Sequence, residues 1–359
     1  MYVCHFTPWA PRRSGMYESV KDQIKYERKA GLKSDLVDPH KEEGAAIELS
    51  TGNKYDLIDD GWYAPIPWEK AKEADIWVMH YLIPEKLMSL FDQKATIAVL
   101  HGPSEHCLLK EWTSELKHRS FDGHISCLWK YDATVVINKH EFEIMQLYDE
   151  KRRLHYIPNS IDLERYKQEG LKWEYQYRPA IASFDVSRLE KLPVHLLWAS
   201  PKIVERIPTA RINIFSLPIP QFSFFRDLIC KKWRREFEAD VFVEIFSLEN
   251  MNLIPFMRGA DIVFNNNFSG IASRVSMEAM AMGTPVVSYG GDYTKYHAKI
   301  FDLNSIAEQI EQCWKEMNIK GNTVRQDTLK YAKENFDRTK YIPQYVKLYE
   351  ETLKRKQNG

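Results

Sequence analysis

The residues able to do chemistry sit where short apolar runs end. The run ADIVFNNN (260–267) is followed by FSGIAS, by the helical stretch RVSMEAMAMG and by another run, TPVVSYG (284–290). Glu278 lies on a helical turn otherwise filled by Met277, Ala279, Met280 and Ala281. A carboxylate among such neighbours is costly unless something satisfies it. Two adjacent hydroxyls, as on a ribose, would do so, because a carboxylate can accept from both. At the start of the same helix, the backbone N–H groups of Gly270, Ile271, Ala272 and Ser273 are available to a diphosphate.

Three other run ends carry suitable groups. FDVSRLEK (184–191) places Arg188 and Lys191 beyond a strand, where a planar guanidinium and a point charge can clamp a pyrophosphate together. Solvated surface charge is the plain alternative. His101 closes ATIAVLH (95–101) and precedes Gly102. A histidine there can donate to a sugar hydroxyl or a phosphate, although a lone histidine is more often structural. His101, Glu105 and His106 match neither H-E-x-x-H nor H-x-x-E-H, so no metal site is expected. TPWAPRRSG (7–15) follows the first run and ends at Gly15. The missing Cβ would let backbone approach a ligand there, and an ordinary strand-to-helix turn would look the same.

The elements that must position these groups alternate twice along the chain. YVCHF (2–6), DIWVMH (75–80), ATIAVLH (95–101), ATVVIN (133–138) and LHYIP (154–158) are apolar runs separated by helical stretches such as 16–31. AIASFDVS (180–187), ARINIFSLP (210–218), VFVEIF (241–246), ADIVFNNN and TPVVSYG repeat the scheme. The expected fold is α/β: two doubly wound parallel sheets, each covered by helices on both faces. The expected domains are 1–165 together with a returning C-terminal helix within 341–359, and 166–340, with YKQEGLKWEYQYRP (166–179) as linker. A length of 359 residues fits two such domains at about 100–200 residues each. Lys+Arg and Asp+Glu are both 50, which removes the usual argument for a dedicated nucleic-acid binder. Five cysteines without a C-x-x-C pair suggest reduced, buried thiols in a cytoplasmic protein. No run approaches the roughly 18 apolar residues of a membrane span, and MYVCHFTPWAPRR has no signal-peptide core. KKWRR (231–235) is most simply a solvated helix face, with peripheral contact to anionic lipid or a nucleic-acid backbone as the alternative.

SMEAMAMGTPVVSYGG resembles the E-A-M-A-x-G-x-P-V-V signature of the retaining GT-B glycosyltransferases of family four (group 1 glycosyl transferases). Gly15, His101–Gly102, IPNSID (157–162), SRLEK and ADIVFNNN resemble further elements of that family in the same order. The resemblance implies two Rossmann-like domains facing across a cleft, an N-terminal one for the acceptor and a C-terminal one for a nucleotide-sugar donor. It implies that Glu278 holds the ribose, Arg188 and Lys191 the diphosphate and His101 the donor sugar, while Gly15 lets the first loop approach the phosphates. It further implies retention of anomeric configuration, through same-face attack in which a donor phosphate oxygen takes the acceptor proton.

This sequence departs from the pattern in three places. Gly270 stands where the family carries a second glutamate, eight residues before Glu278, which leaves the donor sugar open. The arginine and lysine are closer together than usual. Ser160 replaces the glycine of N-G-I-D, with Asn159 left to take the unusual backbone angles. No D-x-D triplet occurs, so no essential metal and no cofactor is expected beyond the nucleotide sugar as co-substrate. The acceptor is undetermined: a glycan, lipid-linked sugar, protein, small molecule or modified nucleobase. Trp62, Tyr63 and Trp68 in 38–70 could stack on a sugar ring or simply pack. A nucleotide-sugar epimerase or hydrolase and a non-catalytic nucleotide-sugar-binding protein are the rival readings, the latter motivated by Gly270.

Overall fold

The computed structural model describes residues 1–7, 15–37, 68–80, 91, 93–101, 127–184, 194–216, 243–247, 252–267 and 272–358. They form two compact units, Met1–Ser160 with Arg338–Gly359, and Ile161–Asp337. The first contains β1 (Tyr2–Phe6), α1 (Gly15–Lys29), β2 (Lys33–Val37), α2 (Trp68–Ala71), β3 (Ile76–Met79), β4 (Ala95–Leu100), β5 (Ala133–Val136), α3 (Lys139–Gln146) and β6 (Leu154–Tyr156). The second contains β7 (Ala180–Ser183), α4 (Val194–Arg206), β8 (Arg211–Ser216), β9 (Val243–Ser247), α5 (Ile254–Gly259) and β10 (Ile262–Asn265). It continues with α6 (Arg274–Ala281), β11 (Val286–Ser288), β12 (Tyr296–His297), α7 (Leu303–Lys320) and α8 (Thr323–Asn335). A 3-10 turn, Arg338–Lys340, and α9 (Ile342–Asn358) then complete the first unit.

Each unit is built on six parallel strands, ordered β2-β1-β3-β4-β5-β6 and β12-β11-β10-β7-β8-β9. The strand order reverses between β1 and β3 in the first sheet and between β7 and β10 in the second. Ligands of such sheets bind beyond the carboxyl ends of the strands at this switch point. Arg188 and Lys191 follow β7 in the sequence, and residues 270–273 follow β10.

Strand parity sorts the cores. Tyr2, Cys4, Phe6, Trp77, Met79, Ala98 and Leu100 share one face of the first sheet. Val3, Ile76, Val78, Ile97 and Val99 lie on the other, against Tyr345, Leu348 and Tyr349 of α9. Successive side chains of a strand point to opposite faces, so a run buried on both sides reads as continuously apolar. In the second unit Ile181, Ile212, Ile214 and Phe264 pack on one face, Ala182, Phe215 and Val263 on the other. Cys4, Cys127 and Cys313 are buried free thiols, and burial pushes the Cys313 thiol up to about 12.

Several expectations change. β2 and β12 were not expected: KSDLV carries few apolar residues and β12 is two residues long. The stretch 166–179 is strapped to the second unit instead of hanging as a linker. Arg258 donates from Nε to Lys167 O at 3.1 Å and from Nη1 to Leu171 O at 2.7 Å, and Trp173 N donates to Pro255 O at 2.9 Å. Asn159 does not take a positive φ; among the described non-glycine residues Arg152 and Phe301 do. Asn159 Oδ1 instead accepts from Ser160 N at 3.0 Å and from Ser19 Oγ at 3.1 Å. Those two bonds hold the turn without a left-handed residue. The 8–14 part of the first loop, the loop containing Trp62 and Tyr63, the Trp68 side chain, Glu105, His106 and the basic run 231–235 lie outside the described residues. Among the described residues, no helix is long and apolar enough to cross a membrane.

Candidate active site

In the second unit, β10 delivers the chain to the switch point and α6 leads it away. Ser273 is the N-cap of α6: its extended backbone (φ −66°, ψ 159°) lets Oγ accept from Ser276 N at 3.2 Å. That satisfies one of the four N–H groups a helix start leaves without an internal partner. Ala272 packs half-buried against the Met277, Met280 and Met282 cluster. Glu278 is 8 % exposed, and its Oε1 accepts from Arg274 Nε at 2.6 Å. Arg274 Nη2 also reaches the hydroxyl of Tyr166 at 3.3 Å. The greasy turn therefore holds an ion pair: the partner expected to be a ribose is, in the chain itself, a guanidinium one helical turn earlier.

Sequence reasoning passed over this arginine although the i, i+4 spacing of Arg274 and Glu278 displays it. Beside the helix, Asn265 Nδ2 donates to the Tyr293 hydroxyl at 2.8 Å. The next residue, Asn266, is fully buried, and among the described residues neither its Nδ2 nor its Oδ1 has a hydrogen-bond partner. A buried amide in that state costs on the order of 1–3 kcal/mol and was not anticipated. Arg188, Lys191, Gly270 and Ile271 lie outside the described residues.

The first unit holds His101 and Gly15. Gly15 opens α1 and is exposed. His101 follows β4 and is not isolated, as its Nε2 lies 2.8 Å from Nδ1 of His80, the residue after β3. His80 Nε2 in turn lies 2.9 Å from Nδ1 of His5 in β1. His5 Nε2 lies 2.8 Å from Oε2 of Glu27 in α1. Strands β1, β3 and β4 are spatial neighbours, and the three histidines continue the parity of Val3, Val78 and Val99. Their alignment is thus a consequence of strand order and pleat.

Glu27 is completely buried. Ser34 Oγ donates to its Oε2 at 2.6 Å, while Gln23 Nε2 at 3.0 Å and the Tyr349 hydroxyl at 2.5 Å donate to Oε1. Burial alone would raise its pKa, but His5 and the bonds from His5, Ser34 and Tyr349 outweigh burial and hold it below the usual carboxylate range. Burial, then the charges of His101, His5 and Arg338, keep His80 well below the usual imidazole range, so its ring stays neutral. Among the described residues, no group of three or more His, Cys, Asp or Glu is arranged to hold a metal ion.

Two doubly wound parallel domains in one chain, each with its switch point at the carboxyl ends of the strands, define the GT-B fold. Solved structures of glycosyltransferases share it. One from Rickettsia africae ESF-5 has a TM-score of 0.65 and 14 % identity over 98 % of this chain and 99 % of that one. Sucrose-phosphate synthase from Thermosynechococcus elongatus gives the same figures: 0.65, 14 %, 98 % and 99 %. An alpha-glucosyltransferase solved with UDP and a 13-mer DNA containing a HMU base has a TM-score of 0.64 and 11 % identity over 97 % and 99 % of the two chains. No family model and no curated protein matches the sequence.

Proposed function

We propose that this chain is a nucleotide-sugar-dependent glycosyltransferase of the retaining, family-four type. The observation carrying this reading is Glu278, held as a buried carboxylate on α6 directly after the switch-point strand β10. A ribose would bring its two hydroxyls to this carboxylate, and the α6 entrance, Gly270, Ile271, Ala272 and Ser273, would face the diphosphate. Sugars linked to UDP are the first donors to test, since UDP occupies several of the solved neighbours.

Breaking a glycosyl–phosphate bond builds negative charge on the leaving diphosphate and positive charge on the sugar. Arg188, Lys191 and the helix entrance would stabilise the former, with His101 on the donor sugar and Gly15 at the phosphates. The acceptor class stays as wide as the sequence leaves it, the protein is proposed to work in the cytoplasm, and no metal or cofactor is assigned a role.

Calorimetry with UDP, paired with transfer assays on a panel of UDP-sugars with and without EDTA, tests the proposal. Expected are UDP binding, turnover unchanged by EDTA, and binding weakened at least tenfold in Glu278→Ala and Glu278→Gln with melting still cooperative. Wild-type affinity in both variants would remove the proposed anchor. UDP binding without turnover would favour the binding-protein reading that Gly270 suggests, and a chemically altered sugar without transfer would favour the epimerase.

A further inference from the structure

We propose that Glu27, His5, His80 and His101 form a proton relay that lets His101 accept a proton at the tip of β4 and store the charge deep in the first unit, beside Glu27. The relay itself rests only on the geometry of this unit. Its use in catalysis rests on the glycosyltransferase reading, in which His101 meets a hydroxyl of the donor sugar.

The three nitrogen-to-nitrogen or nitrogen-to-oxygen separations, 2.8, 2.9 and 2.8 Å, are hydrogen-bond lengths. Each N–N contact needs one ring to donate and the other to accept, so the tautomers are locked to one another. One arrangement has all three rings neutral with the proton on Nε2: His101 donates to His80, His80 to His5, and His5 to Glu27. When a hydroxyl gives its proton to His101 Nδ1, the O–H bond breaks and Nδ1–H forms. His101 then passes its Nε2 proton to His80 Nδ1, and His80 passes its own Nε2 proton to His5 Nδ1. His101 and His80 end neutral in the opposite tautomer. His5 ends doubly protonated against the Glu27 carboxylate, and every hydrogen bond survives with its direction reversed between the histidines.

The surroundings suit storage at the inner end. Glu27 is kept ionised by Ser34 of β2, Gln23 of α1 and Tyr349 of α9. Among the described residues, Glu27 from α1 contacts His5, and His101, His5 and Arg338 of the 3-10 turn act on His80. Burial of His80, then the charges of His101, His5 and Arg338, disfavour a cation at the middle ring, so His80 transmits the charge and does not hold it. Tyr345 and Tyr349 of α9 feel Glu27 but are themselves held neutral by burial.

The test is a pH titration of the wild-type protein labelled with nitrogen-15 in histidine, reading ring tautomers by long-range proton–nitrogen correlation. The expected result is a concerted change: His80 and His101 carry the proton on Nε2 at high pH and on Nδ1 at low pH, with one midpoint, while both stay neutral. His80 holding a single tautomer while His101 becomes doubly protonated would overturn the relay, with or without glycosyltransferase activity. His80→Gln, whose amide cannot exchange one proton for another, should abolish the concerted tautomer change at His101. If the transferase reading also holds, that variant lowers kcat at least tenfold and abolishes the wild-type pH inflection, with donor KM changed less than threefold. An unchanged pH–rate profile there would detach the relay from catalysis.

Discussion

At the scale of single residues, buried charge is handled in two different ways. Glu27 is surrounded by donors from four elements, His5, Gln23, Ser34 and Tyr349. Among the described residues Glu278 is paired with Arg274 on the same helix, with side chains 10 % and 7 % exposed. Removing one member of a buried pair leaves the other uncompensated, whereas replacing both with apolar groups of like volume is often neutral. Arg274→Met should therefore lower stability by about 3 kcal/mol, and adding Glu278→Met should recover most of that loss. Urea unfolding of the two single variants and the double variant measures the coupling. Additive losses would mean that the pair contributes nothing as a pair. The expected dissociation from function is equally specific: the double variant is stable and binds no UDP.

At the scale of elements, close approach does the positioning. A Cβ on Gly259, the last residue of α5, would sit 2.1 Å from Trp173 O and 3.1 Å from Trp173 C. Backbone cannot yield there as a flexible side chain would. Gly259→Ala should force the 166–179 strap away from α5 and destabilise the second unit by about 1–3 kcal/mol, the usual range for overpacking. Limited proteolysis should then cut within 166–179, and an unchanged digestion pattern would refute the argument. This strap was unreadable in the sequence, because polar, aromatic-rich composition describes a tether and a packed strap equally well.

The long strands were legible for the opposite reason. β1 and β4 are buried on both faces, so YVCHF and ATIAVLH show as largely apolar runs, the first ending with its strand and the second running one residue past it, to His101. β2 hid because KSDLV mixes a salt-bridged Asp35 and a Glu27-bound Ser34 into five residues. Glu278 and its helix could be placed from spacing alone. The histidines could not. His5 and His101 stand 96 positions apart, and only the order β1-β3-β4 makes them ends of one chain of hydrogen bonds.

At the scale of the whole molecule, the chain enters the second unit at Ile161, leaves it at Asp337, and closes the first unit with its last helix. The second unit is thus contiguous and the first is not. What 338–359 contributes to the first unit is core: Tyr345, Leu348 and Tyr349 are buried against Val3, Ile76, Val78 and Ile97. It also contributes polar closure, since the Tyr349 hydroxyl reaches Glu27, and Arg338 Nη2 donates to Ser160 O at 2.6 Å and to Ser19 Oγ at 3.1 Å. A fragment 1–160 would expose that apolar face and leave Glu27 short of a donor deep in the fold, two penalties of a size that decides folding. The expected outcome is that 161–337 unfolds cooperatively by itself while 1–160 does not. Joining 1–160 to 338–359 through a short Gly-Ser linker should restore a cooperative transition, because the Ser160–Arg338 bond already brings the two ends together. A cooperative melt of 1–160 alone would show that the returning helix is an ornament on a finished domain, and would leave Glu27 needing some donor other than Tyr349.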